Sequence, residues 1–93
     1  MTLSRRDIIT AGSGAAHIAS LLVQCQPERL DALAADLDAL EGTEVPARDE
    51  QGKLIVLLEL PTEYALLERT REIENLPGVI SVTLVYHELD EPD

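Results

Sequence analysis

Twice along this chain, a short apolar run rich in β-formers leads into a segment whose apolar residues recur at steps of three and four and which stops at a glycine. Ile18–Cys25 (IASLLVQC) reads as a strand. Pro27 suits the first turn of a helix, which needs no donor there. From Glu28 onward Leu30, Leu33, Leu37 and Leu40 mark one helical face, and Gly42 closes it as a left-handed cap. Thr43–Asp49 is a weaker strand that Pro46 marks as an edge, because proline cannot donate to a ladder. Glu50–Lys53 (EQGK) supplies a turn, and Leu54–Leu60 (LIVLLEL) is a short, nearly continuous apolar strand. Thr62 caps a second helix lined by Leu66, Leu67, Thr70 and Ile73, which Leu76-Pro77-Gly78 ends. Val79–His87 (VISVTLVYH) is the last strand.

The order βαββαβ carries a weak internal echo. Leu40-Glu41-Gly42 and Leu76-Pro77-Gly78 each end a helix and open a strand, and Ser20-Leu21-Leu22-Val23 resembles Thr83-Leu84-Val85-Tyr86. Two interleaved βαβ halves give an α+β, ferredoxin-like split βαβ domain: a four-stranded antiparallel sheet with two helices on one face. A chain of 93 residues has room for one such domain, expected over His17–His87. Met1–Ala16 is expected to be a flexible N-terminal arm, and Glu88–Asp93 an acidic tail. The core must be aliphatic, since the chain has no Phe, no Trp and two Tyr.

Seven basic against eighteen acidic residues give a formal charge of −11. That tells against nucleic acid, whose binding rests on neutralising phosphates, and against an anionic membrane surface. It favours a positively charged partner. No apolar stretch approaches the roughly 18 residues a spanning helix needs, so no membrane insertion is expected.

With both helices on one face of the sheet, the other face is open, and strand alternation says what it shows. Glu59 should avoid the core, which sends Ile55 and Leu57 outward with it and Val56, Leu58 and Leu60 inward. In the first strand Ala19, Leu21 and Val23 go inward, and Ile18, Ser20, Leu22 and Gln24 outward. In the last, Ile80, Val82 and Leu84 go inward, and Ser81, Thr83, Val85 and His87 outward. The candidate binding face is therefore Ile18, Ser20, Leu22, Gln24, Ile55, Leu57, Glu59, Thr83, Val85 and His87: an apolar patch with a polar, acidic rim. Patches of this kind mark partners, although a second copy or the Met1–Ala16 arm would cover one equally well.

Catalytic and metal chemistry find little support. Cys25, the single cysteine, has no flanking His or Asp to activate it, and it excludes both a disulfide framework and an iron–sulfur cluster. If the first and last strands do not pair directly, His17 and His87 cannot easily meet. Even together they offer two ligands where zinc needs three or four. The acids are spread over helix surfaces, and Gly12-Ser13-Gly14 lacks the strand and helix that would make it a phosphate cradle. RNA-recognition domains share the topology but stack bases on sheet aromatics, whereas the outward positions here are aliphatic. No catalytic residue, no metal and no cofactor are expected. Ligand-sensing domains of the ACT kind remain the alternative. They put effectors near a glycine-bearing turn after the first strand, where this chain has Gln26-Pro27-Glu28. An acylphosphatase-like enzyme would need an anion-binding arginine loop at that point, which is missing.

Ser4-Arg5-Arg6-Asp7-Ile8-Ile9 looks like a twin-arginine export motif. The segment behind it, Thr10–His17, is too weakly apolar for the 7–15-residue core of a signal peptide.

The run from His17 to Glu88 resembles the NapD family. The resemblance rests on HIASLLVQCQPERL (17–30) with its S-L-x-V-Q core, on GKLIVLLE (52–59) and on LPGVISVTLVYHELDE (76–91). It implies the same βαββαβ fold. It also implies a cytoplasmic chaperone, not an enzyme, which binds the twin-arginine signal peptide of the periplasmic nitrate reductase catalytic subunit and delays export until cofactor insertion is complete. The expected partner is that signal peptide, with the chaperone a monomer or weak dimer. The arm's own Ser4–Ile9 would then be a poor pseudo-ligand of the same site, held at about millimolar effective concentration by its tether.

Overall fold

In a computed structural model, residues 16–90 are described. The expectations for the arm and for its Ser4–Ile9 motif lie outside them. Strand β1 (Ala16–Cys25) leads through a 3-10 turn (Pro27–Arg29) into α1 (Leu30–Asp38), followed by β2 (Thr43–Asp49), β3 (Lys53–Leu60), α2 (Glu63–Glu74) and β4 (Val79–Asp90). The sheet order is β2-β3-β1-β4, and every neighbouring pair is antiparallel. The βαββαβ order and the four-stranded antiparallel sheet expected from the sequence are both present. β4 runs on to Asp90, so it takes in the first three residues of the stretch expected to be an acidic tail.

The first helix begins later than its periodicity predicts. Gln26 makes no side-chain cap, and Pro27 opens a tight 3-10 turn, so α geometry starts at Leu30 rather than Glu28. α2 has the cap the first lacks: the Thr62 hydroxyl oxygen accepts from the Ala65 amide at 3.0 Å. Gly42, at φ 73, returns the chain beneath β3, where its carbonyl accepts from the Glu59 amide at 2.8 Å. Alternation then sets the core. Ala19, Leu21, Val23 and Cys25 of β1, and Leu54, Val56, Leu58 and Leu60 of β3, meet Leu30, Leu33, Ala34 and Leu37 of α1 and Leu66 and Ile73 of α2. Each such leucine contributes about 2–5 kcal/mol relative to alanine once transfer and cavity terms are added. Leu67, expected to line α2's inner side, is instead 53% exposed.

β4 departs from simple alternation. Leu21 pairs with Leu84 but Ser20 with Tyr86, so Val85 is an extra residue. Likewise Gln24 pairs with Ser81 but Cys25 with Val79, which leaves Ile80 extra. Each bulge inverts the alternation of the residues beyond it, because one added position moves every later side chain to the other face. Ile80, expected in the core, is 67% exposed at its bulge.

Candidate functional site

The register arranges the helix-free face in transverse rows, because residues paired across an antiparallel ladder share a face. The first row is Glu59 of β3, Ile18 of β1 and Glu88 of β4. The second is Glu44, Leu57, Ser20 and Tyr86, running from β2 to β4. The third is Ala47, Ile55, Leu22 and Thr83, and the fourth Asp49, Lys53, Gln24 and Ser81. Rows are two residues apart, about 7 Å, so the first and fourth are separated by about 20 Å.

Eight of the ten residues expected on this face are there: Ile18, Ser20, Leu22, Gln24, Ile55, Leu57, Glu59 and Thr83. His87 is not. Beyond the Val85 bulge the phase is inverted, so His87 pairs with Ala19 and belongs to the helix-bearing face, and Tyr86 takes its place opposite Ser20. Val85 is the unpaired bulge residue, 62% exposed. Glu44, Tyr86 and Glu88 join the face without having been expected from the sequence. Glu44 lies on the edge strand, whose weak pattern assigns no faces. Glu88 reads as tail. Tyr86 needs the bulge to be known.

The face is therefore polar in the directional sense. Three carboxylates, Glu44, Glu59 and Glu88, occupy the first two rows, and Leu57, Ile55 and Leu22 form a strip behind them. Leu22 and Leu57 are half-buried and Ile55 is exposed, whereas Ile18 and Glu59 are buried. Glu88 also acts on its neighbour. Its hydrogen bond to the Tyr86 hydroxyl, helped by some desolvation and by its charge, pushes that phenol's pKa up. At the opposite end of β1, burial and, secondarily, the charge of Glu28 push the Cys25 thiol up. A thiol held protonated is inert, consistent with a packing role.

Behind the carboxylate end, on the helix-bearing face, β1 and β4 do pair and bring His17 and His87 together. Their Nδ1 and Nε2 atoms lie 3.1 Å apart and their rings stack with centroids 5.4 Å apart. The condition that would have kept them apart, a first and last strand that do not pair directly, is not met. The split βαβ arrangement itself lays the first and last strands side by side. Among the described residues no group of three or more His, Cys, Asp or Glu side chains could hold a metal ion. Nor is any described helix long and apolar enough to cross a membrane.

Comparison with known proteins agrees with the fold. The family model described as NapD protein matches residues 16–91. The chain is 42% identical over 76 residues to the chaperone NapD of Haemophilus influenzae, covering 81% of this chain and 82% of that one. It is 36% identical to the chaperone NapD of Escherichia coli K12, covering 81% and 87%. The solution structure of the E. coli Tat proofreading chaperone NapD superposes with a TM-score of 0.73 at 35% identity, covering 78% of each chain. A transcriptional regulatory protein of the AsnC family from Pyrococcus furiosus gives 0.67 at 18% identity, covering 89% of this chain and 62% of that one, which shows the fold alone.

Proposed function

Since the chain belongs to the NapD family of chaperones, we propose that it binds the twin-arginine signal peptide of a periplasmic nitrate reductase catalytic subunit in the cytoplasm and holds the precursor back from export until its cofactors are inserted. The observation that carries this reading is the row order of the open face. A twin-arginine signal peptide is cationic at its start and apolar behind. Glu44, Glu59 and Glu88 offer the complement to the first part, and Leu57, Ile55 and Leu22 the complement to the second, in that sequence along the strands. The arrangement orients the peptide with its arginines over the carboxylate rows and its apolar segment running toward Gln24 and Lys53. About 20 Å separates the two ends, the span of some 13 residues of helix at 1.5 Å each or six of extended chain.

The two halves contribute differently. Burial of the apolar strip supplies most of the affinity, at roughly 25 cal/mol for each Å² of apolar surface removed from water. Of the three carboxylates Glu88 is the exposed one, and an exposed charge acts mainly on association rate and partner choice. The Glu88→Gln variant, titrated with a synthetic nitrate reductase signal peptide, is expected to bind a few-fold more weakly, through a slower on-rate, and with a shallower salt dependence than the parent chain. An unchanged on-rate and salt slope would detach the acidic row from recognition.

A further inference from the structure

The two edges of the sheet are built differently. β2 carries Glu44, Pro46, Arg48 and Asp49, and Arg48 is further tied to Asp31 of α1 at 3.1 Å. Charges, proline and β-bulges are the devices that keep an edge from pairing with another chain. β4, the other edge, has no Asp, Glu, Lys, Arg or Pro along Val79–His87, and its bulges at Ile80 and Val85 leave Ser81–Leu84 between them as its regular stretch. It is also a long strand of 12 residues. Five of the eight large apolar side chains left exposed among the described residues sit on it: Ile80, Leu84, Val85, Tyr86 and Leu89. Leu84 and Leu89 pair with helix-face residues of β1 and Tyr86 with an open-face residue, so the apolar surface wraps both sides of the edge.

From this we infer that β4 is a self-association edge: two copies of the chain pair β4 to β4, antiparallel about a two-fold axis within Val79–His87, joining two four-stranded sheets into one of eight strands. The charge pattern selects a second copy over a cationic peptide as the occupant. An arginine-bearing strand would find no carboxylate along Val79–His87. Two copies, in contrast, face uncharged segment to uncharged segment. Antiparallel pairing centred near Thr83 carries Glu88 and Asp90 of one copy past the other's Leu76-Pro77-Gly78, so no acid is brought opposite an acid despite a formal charge of −11 on each chain. A single strand edge with its flanking side chains lies at the small end of interface sizes, below about 1,200 Å² in total, where association is transient and concentration-dependent. Pairing in the plane of the sheet leaves the row of Glu59, Ile18 and Glu88 and the apolar rows behind it uncovered, so the open face stays accessible to a peptide while the edge is paired.

Sedimentation equilibrium on the full chain tests this, with Val85→Lys, Ile80→Lys and Ile55→Lys as variants and thermal melting as the check on folding. All three side chains are exposed. The expected result is a monomer–dimer equilibrium that Val85→Lys and Ile80→Lys each weaken about tenfold or more while melting as the parent does. Ile55→Lys, on the open face away from the edge, should leave it unchanged. A chain that stays monomeric at every concentration overturns the inference. So does a dimer that Ile55→Lys dissociates and the β4 variants spare, since that is face-to-face packing. Loss of signal-peptide affinity in the β4 variants of a monomeric chain would assign the edge to the peptide instead, and would also overturn it.

Discussion

Neighbouring leucines on β1 and β3 have opposite duties. Leu21 and Leu58 are buried under the helices at 1% and 0% exposure, whereas Leu22 and Leu57 alternate onto the open face and are only half-buried. An aspartate at Leu21 or Leu58 would place an unpaired charge in an aliphatic core and should unfold the domain, seen as loss of a cooperative melt. An aspartate at Leu22 or Leu57 should leave the melt largely intact and weaken signal-peptide binding by more than about 1.4 kcal/mol, a tenfold loss read by calorimetric titration. Cys25 makes a separate statement about pH. Its folded pKa is raised from an ordinary value of 9.0 by burial and by Glu28, so between those two pKa values the folded state keeps a proton that the unfolded state has lost. The stability this thiol contributes is therefore complete below about pH 9 and is lost as pH rises through the folded pKa. Urea midpoints should fall as pH rises above about 9, and Cys25→Ala should flatten that fall.

The elements are joined where backbone geometry leaves little choice. Asp49 organises the β2–β3 turn: its side chain accepts from the Gln51 amide at 2.7 Å and its carbonyl from the Gly52 amide at 3.0 Å. Gly52 has φ 101, and its carbonyl accepts from the Cys25 amide at 2.7 Å, which ties the turn to the end of β1. A Cβ there would run into the backbone carbonyl of Cys25. Gly52→Ala is therefore expected to lower stability by more than about 1 kcal/mol, measured by chemical denaturation, with the far-UV spectrum retained. Much at this scale was legible in the sequence. Leucines at steps of three and four placed both helices, and alternation placed the inward residues of β1 and β3, because in those elements period and packing agree. β4 was legible in position but not in phase. Its bulges fall at Ile80 and Val85, β-branched residues at home in any strand, and no glycine or proline marks either one. That is why His87 was expected on the open face and Tyr86 was not. The acidic row was hidden for a different reason. Glu88 reads as tail, because a carboxylate after a strand ordinarily belongs to solvent, and only the ladder to Ile18 puts it beside Glu59.

At the scale of the whole molecule, a charge of −11 is distributed unevenly over the sheet. The carboxylates Glu44, Glu59 and Glu88 gather at one end of the open face, Leu57, Ile55 and Leu22 come next, and the β4 edge remains uncharged from Val79 to His87. The helices and the aliphatic core hold that pattern in place. On this account the open face reads both parts of a twin-arginine signal peptide, the paired arginines and the apolar run behind them. The most direct test is calorimetric titration of the purified chain with a synthetic signal peptide of a periplasmic nitrate reductase, beside the same peptide with both arginines changed to alanine. The account predicts submicromolar to micromolar binding of the native peptide and clearly weaker, less salt-dependent binding of the di-alanine peptide. Equal binding of the two would contradict the role of the carboxylate rows, and no binding of either would contradict the whole reading.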